Sequence, residues 1–252
     1  MKTNKIYQFY AELKDFSPKI WRRFQMEGSS TMAELGYVIM TLFEMKASHL
    51  FNVKVHKGES LVELLKLKPN FDMKQFMKEN PSILDIRYEY HIDQYDLGIE
   101  EIKNSIIDRR DARKHTLYKT NLEMGEILSL NYDYGDDWMI RIKLEEIVDK
   151  TEESNVIYPI LLKGKGYGII EDCGGVMGLK ELVKAFKDKN GEQYENYQDW
   201  LQIESFDIHV FNLEEMNERI HIIPRIYKDI YELKRYISDA EINLIERRNI
   251  KA

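Results

Sequence analysis

The chain has 252 residues, of which 43% are hydrophobic, 12% aromatic and 32% charged, with a net charge of −7. Enough apolar residues are present to build a core, which excludes a disordered chain, and the acidic balance excludes a surface with a general attraction for phosphate. The single cysteine, Cys173, excludes an intrachain disulfide and a cysteine-pair zinc site.

The opening MKTNKIYQFYAELK carries no apolar leader, and no run of about 18 apolar residues follows anywhere. The expectation is a soluble, cytoplasmic protein with no membrane partner. In KIYQFYAELKDFSPKIWRRF, alternation at Tyr7, Phe9, Ala11 and Leu13, the turn-forming Asp15-Phe16-Ser17-Pro18 and a second run from Ile20 predict a β-hairpin. Thr31 and Glu34 have capping-box spacing ahead of a helical stripe of Leu35, Val38, Ile39, Leu42 and Phe43. SHLFNVKV then reads as a strand with His49, Phe51, Val53 and Val55 on one face. Hairpin, helix and strand in that order give a β-grasp-like opening.

Residues 59–81 read as a helical insertion, and ILDIRYEYHI, 83–92, as a strand. IEEIKNSIIDRRDARKH reads as a charged helix or loop. Within it Arg109, Arg110, Arg113 and Lys114 form the one candidate nucleic-acid patch, against the alternative of a solvated helix face without the interleaved aromatics that stack bases. LNYDYGDDWMIRIKLEEIV predicts a hairpin around a Gly135-Asp136-Asp137 loop. Tyr134 then opposes Trp138, Tyr132 opposes Ile140 and Leu130 opposes Ile142 on the buried face, leaving Asp133 on the other face near Arg141. A Gly-rich loop leads to the amphipathic helix LKELVKAFKD, then further helices, and Ile226, Tyr227, Ile230, Leu233 and Ile237 continue at helical spacing. The expected fold is α+β, mostly antiparallel. One domain spans 1–220, and a C-terminal helical extension over 221–252 packs on the body or pairs with another chain.

The candidate chemistry is carboxylate chemistry. Asp133, Asp136, Asp137, Glu171 and Asp172, approached by His49, could bind a divalent cation or act as general acids and bases; the alternative is ordinary turn chemistry. His49 alternatively serves as a core histidine. Arg22 and Arg23, adjacent on a strand, point to opposite sides, so one needs a partner, expected among the acids of YDYGDD or EDCGG. Cys173 is either a nucleophile activated by His49 or a small buried residue. Trp21, Tyr134 and Trp138 are the aromatic members of a candidate binding groove. No cofactor motif occurs, so a divalent cation is the one cofactor offered.

IWRRF, SHLFNVKV, YDYGDDW, YPILLKGKG, EDCGG with a following helix, and FDIHVFNLEEMNERI occur in an order that resembles the family named after the third open reading frame of the pRi plasmid, over roughly residues 5 to 220. Its members are also described as transposon-passenger proteins of a resolvase-like (TnpR) type. The resemblance implies an α+β domain of bacteria and archaea found near mobile elements, and it carries no biochemical activity. Many members have CPPEDCGG where this chain has Gly168, Ile169 and Ile170 before Glu171. The function expected is a binding or interaction module for an unknown ligand or protein; a metal-assisted hydrolase or nuclease-like enzyme and a nucleic-acid adaptor are the alternatives.

Overall fold

The computed structural model describes residues 5–93, 103–151 and 155–247. β1 (Lys5–Leu13) and β2 (Trp21–Glu27) form the expected hairpin, Phe9 opposite Phe24. α1 (Met32–Leu42) starts at Thr31, whose side chain accepts from Glu34 N while Glu34 accepts from Thr31 N. β3 (Phe51–Val55), α2 (Lys57–Lys66) and α3 (Met73–Glu79) follow, then a 3-10 turn (Ile83–Asp85) and β4 (Arg87–His91). The strand expected over 83–92 is therefore shorter, its first residues being turn. β5 (Ile107–Asp111), β6 (Ile127–Tyr132), β7 (Trp138–Asp149) and β8 (Ile160–Lys165) complete a sheet in the order β5-β4-β3-β6-β7-β1-β2-β8, antiparallel except for β4–β5. α4 (Gly175–Asp188), α5 (Glu192–Leu201), α6 (Leu213–Leu233) and α7 (Asp239–Glu246) close the described chain. The fold is α+β.

One sheet face carries the core. Tyr7, Phe9, Phe24, Val53, Leu130, Tyr132, Trp138 and Ile140 are all buried, in one cluster with the apolar residues of α1 and with Met216, Ile220, Ile223, Tyr227 and Tyr231 of α6. The opposite face carries Tyr10, Glu12, Trp21, Arg23, Arg141 and Lys143, the cross-strand neighbours that alternation leaves there. α6 crosses residue 220 without a break and packs against α1. It also protects the sheet edge: Asn217 accepts from Leu161 N at 2.8 Å and donates to Leu161 O at 3.0 Å, occupying free groups of β8.

Two local expectations are corrected. The segment read as a charged helix or loop contains β5. Along that strand Arg110 pairs with Asp108 at i, i+2, which helical periodicity does not detect, and in the turn that follows Arg113 pairs with Asp111. The β6–β7 register also differs from the one expected. Tyr132 opposes Trp138, Leu130 opposes Ile140 and Leu128 opposes Ile142, with residues 133–137 as the connection. Asp133 and Asp137 adopt left-handed backbone at φ 54 and 51, a conformation that aspartate tolerates better than most residues. Among the described residues no helix is long and apolar enough to cross a membrane.

Candidate functional site

Three loops meet at one end of the sheet. The first joins α1 to β3 and holds His49, which precedes β3 instead of lying on its Phe51, Val53, Val55 face. The second is the β6–β7 connection. Asp133 N donates to Leu50 O at 3.0 Å, and Asp133 Oδ1 accepts from Gly135 N at 3.0 Å. The third is the EDCGG turn before α4. It docks on the second because Gly174 N donates to Asp136 Oδ2 at 3.3 Å and because Gly175 has no side chain. A Cβ there would lie 2.4 Å from Asp136 O, on a backbone at φ +67, so both space and conformation require glycine.

Glu171 is the buried centre of this junction, 5% exposed. Its Oε1 accepts from Lys46 N at 2.6 Å and from the Tyr132 hydroxyl, which itself accepts from Ser48 N at 3.1 Å. Both bonds to Glu171 fall on one oxygen. His49 stands edge-on to the Tyr132 ring, centroids 5.7 Å apart. Its Nε2 lies 3.3 Å from Asp172 Oδ1 and 3.5 Å from Asp133 Oδ2, too poorly aligned for either to be a hydrogen bond, and this shielded nitrogen has no hydrogen-bond partner. His49, Glu171 and Asp172 each offer a ligand atom, and these atoms all lie within 4.8 Å of one another.

The remaining candidates divide. Asp136 serves the Gly174 amide, and Asp137 Oδ1 accepts from Asn131 at 3.4 Å. Burial first, then the nearby Asp136 and Asp172 charges, push the Cys173 thiol up to about 12, which disfavours the thiolate that a nucleophilic role requires. Trp138 is fully buried on the core face, Trp21 belongs to the opposite face, and Tyr134 is half exposed with its hydroxyl accepting from Asn52 at 2.9 Å. These three aromatics do not line one groove.

Nor do the arginines reach the motif acids. Arg22 is fully buried and spends its five N–H groups on carbonyls: Leu42, Trp21, Lys165, Gly166 and Tyr167. Burial pushes its guanidinium down to about 9, which leaves it charged at neutral pH. Arg23, on the open face, pairs in two-pronged fashion with Glu145 at 2.6 and 2.8 Å. In the basic stretch Arg109 meets Glu89 at 3.3 Å, Arg110 meets Asp108, and Arg113 and Lys114 share the buried Asp111 at 2.7 and 3.6 Å. Those cations are paired within the fold, which leaves little unpaired positive charge for a phosphate backbone.

The sequence matches the plasmid pRiA4b ORF-3-like protein family over residues 5–215. This chain belongs to that family. Its fold is similar to the crystal structure of a protein of unknown function, MM3350, from Methanosarcina mazei Go1, with TM-score 0.60 and 22% identity over 84% of this chain and 97% of that one. No curated protein matches significantly. All three loops of the junction lie within the family match, whereas most of α6, from Met216 onward, follows it.

Sequence reasoning singled out His49, Asp133, Glu171 and Asp172 but missed Tyr132, which links two of them. The available signal was its position on the buried face, since a buried phenol hydroxyl requires a partner.

Proposed function

We propose that the chain is a binding module built around a divalent transition-metal ion, held by His49, Glu171 and Asp172 with Asp133 alongside. The observation that carries this reading is the shielded, unpartnered His49 Nε2 facing two carboxylate oxygens at 3.3 and 3.5 Å. Ligands about 2.1 Å from a tetrahedral zinc stand about 3.4 Å apart along each edge, a spacing that the 3.3 Å between His49 Nε2 and Asp172 Oδ1 supports. One imidazole among carboxylates suits zinc, manganese or cobalt better than magnesium or calcium, which favour oxygen donors alone. Tyr132 and Lys46 N orient Glu171 through one oxygen, in the manner in which outer partners fix a ligating carboxylate.

A metal-assisted hydrolase is the second reading, favoured by one feature: Asp172 is exposed, so the ion would face solvent on one side, as a catalytic site requires. Isothermal titration with Zn²⁺, Mn²⁺ and Co²⁺ tests the shared core of both. One-to-one binding is expected, weakened at least tenfold in Glu171→Gln, which keeps the hydrogen-bond acceptor while removing the charge, and likewise in His49→Ala. Wild-type protein that binds these ions no better than His49→Ala contradicts the proposal.

A further inference from the structure

We infer that α6 sets the geometry of the candidate site, with Tyr231 acting as a positioning residue for His49; this inference rests on the metal reading just given. The loop from Phe43 to Leu50 is an unfavourable piece of backbone. Glu44 and Ala47 both adopt left-handed conformations, φ 62 and 63, without being glycine. Such residues persist where surrounding contacts over-determine them.

Those contacts come from two directions. From the site side, Ile169 N donates to Phe43 O at 3.0 Å, Lys46 N donates to Glu171, and Asp133 N donates to Leu50 O. From α6, the Tyr227 hydroxyl donates to Met45 O, the Tyr231 hydroxyl donates to His49 O, and Arg219 pairs with the buried Glu44 at 3.1 Å.

Tyr231 is itself locked. It stacks on Tyr37 at 5.8 Å and meets Phe51 edge-on at 5.1 Å, so its ring is held from two sides while its hydroxyl donates to His49 O. A rigid phenol anchored in the core thus grips the backbone of the residue whose ring nitrogen faces the carboxylates. Met216 to Leu233 lie past the end of the family match, so part of the scaffold behind the site lies outside the matched region.

The experiment compares Tyr231→Phe, which deletes the hydroxyl and keeps the ring, with Tyr37→Phe. The latter deletes the hydroxyl that donates to Glu232 of the same helix at 3.1 Å without touching His49. Co²⁺ affinity and the visible spectrum of the Co²⁺-saturated protein are measured for both. In metal-free protein the His49 ring resonances are followed by NMR. Tyr231→Phe is expected to bind Co²⁺ about tenfold more weakly with an altered spectrum, as loss of an outer partner of a ligand does, and to shift the His49 resonances; Tyr37→Phe leaves all three unchanged. Unchanged His49 resonances in Tyr231→Phe overturn the inference whether or not metal binds. Wild-type protein that fails to bind Co²⁺, with the resonances shifted in Tyr231→Phe, overturns the metal reading and leaves the positioning role standing.

Discussion

Replacing Arg22 by lysine isolates what a guanidinium does inside this core. The native side chain satisfies five carbonyls, and its Cζ sits 5.3 Å from the Phe43 ring centroid and 4.6 Å from that of Phe211. An ammonium has three donors on one atom, so at least two of those buried carbonyls lose their partner. At about 1–3 kcal/mol for each unsatisfied group, losing two costs about 2–6 kcal/mol, a large share of the roughly 5–15 kcal/mol that stabilises a typical domain. In a chain of this size that corresponds to a fall in melting temperature of about 4–24 °C. Urea unfolding followed by tryptophan fluorescence and by circular dichroism measures it, with coincident transitions as the check on two-state behaviour. A stability within about 0.5 kcal/mol of wild type would show that the carbonyls find other donors and would refute the reasoning.

Further outcomes follow from the same geometry. Alkylation of Cys173 at pH 8 should run roughly a thousandfold slower than for a free cysteine, because a thiol pushed up to about 12 has so little thiolate; rapid labelling under native conditions would show that it is accessible and ionised. Gly175→Ala should destabilise by at least about 1–2 kcal/mol through the left-handed backbone alone, before the clash with Asp136 O, so an unchanged urea midpoint would mean that the EDCGG turn does not dock as described. The Arg23 hydrogen bonds hold Glu145 below the usual carboxylate range, and those of Arg110 do the same for Asp108. Their stabilisation is complete above the unfolded carboxylate value near 4 and is lost as pH falls through the lower folded values, so Arg23→Gln should flatten the decline of stability below about pH 4. An acid limb identical to wild type would remove that pair from the account.

Much of the fold was legible where local rules and tertiary packing agree. The Thr31–Glu34 box, the first hairpin and the Leu179, Leu182, Phe186 stripe all pointed to the elements they form. The β6–β7 hairpin was legible in part, for a reason that lies in strand geometry. Its true register is displaced by two residues from the one a three-residue loop implies, and because side chains alternate with period two, that displacement keeps Leu130, Tyr132, Trp138 and Ile140 on the core face. What changed was the surroundings of Asp133, which leaves the neighbourhood of Arg141 and turns toward His49.

The candidate site was legible as a list of residues that the fold brings near one another in part, and not as an arrangement. YDYGDDW and EDCGG do meet, around a histidine, while neither arginine of the pair, one of which was expected to join them, does so: Arg22 serves backbone carbonyls and Arg23 pairs with Glu145. No sequence pattern distinguishes an arginine that seeks a carboxylate from one that seeks carbonyls, since four of the five partners of Arg22 are main-chain atoms 20 to 145 residues away. Tyr227 was visible only as part of a helical stripe and Tyr231 was not singled out at all; their hydroxyls, which grip Met45 and His49, became informative once the loop they hold was in place.

The central claim is that His49, Glu171 and Asp172 form a metal-binding centre. Its most direct measurement is a crystal equilibrated with Zn²⁺ or Mn²⁺ and recorded across the absorption edge of the metal. An ion held there gives an anomalous peak about 2.0–2.2 Å from the His49 ring nitrogen and from oxygens of Glu171 and Asp172. An empty map there, with His49 Nε2 donating a hydrogen bond to Asp133 or Asp172, would contradict it.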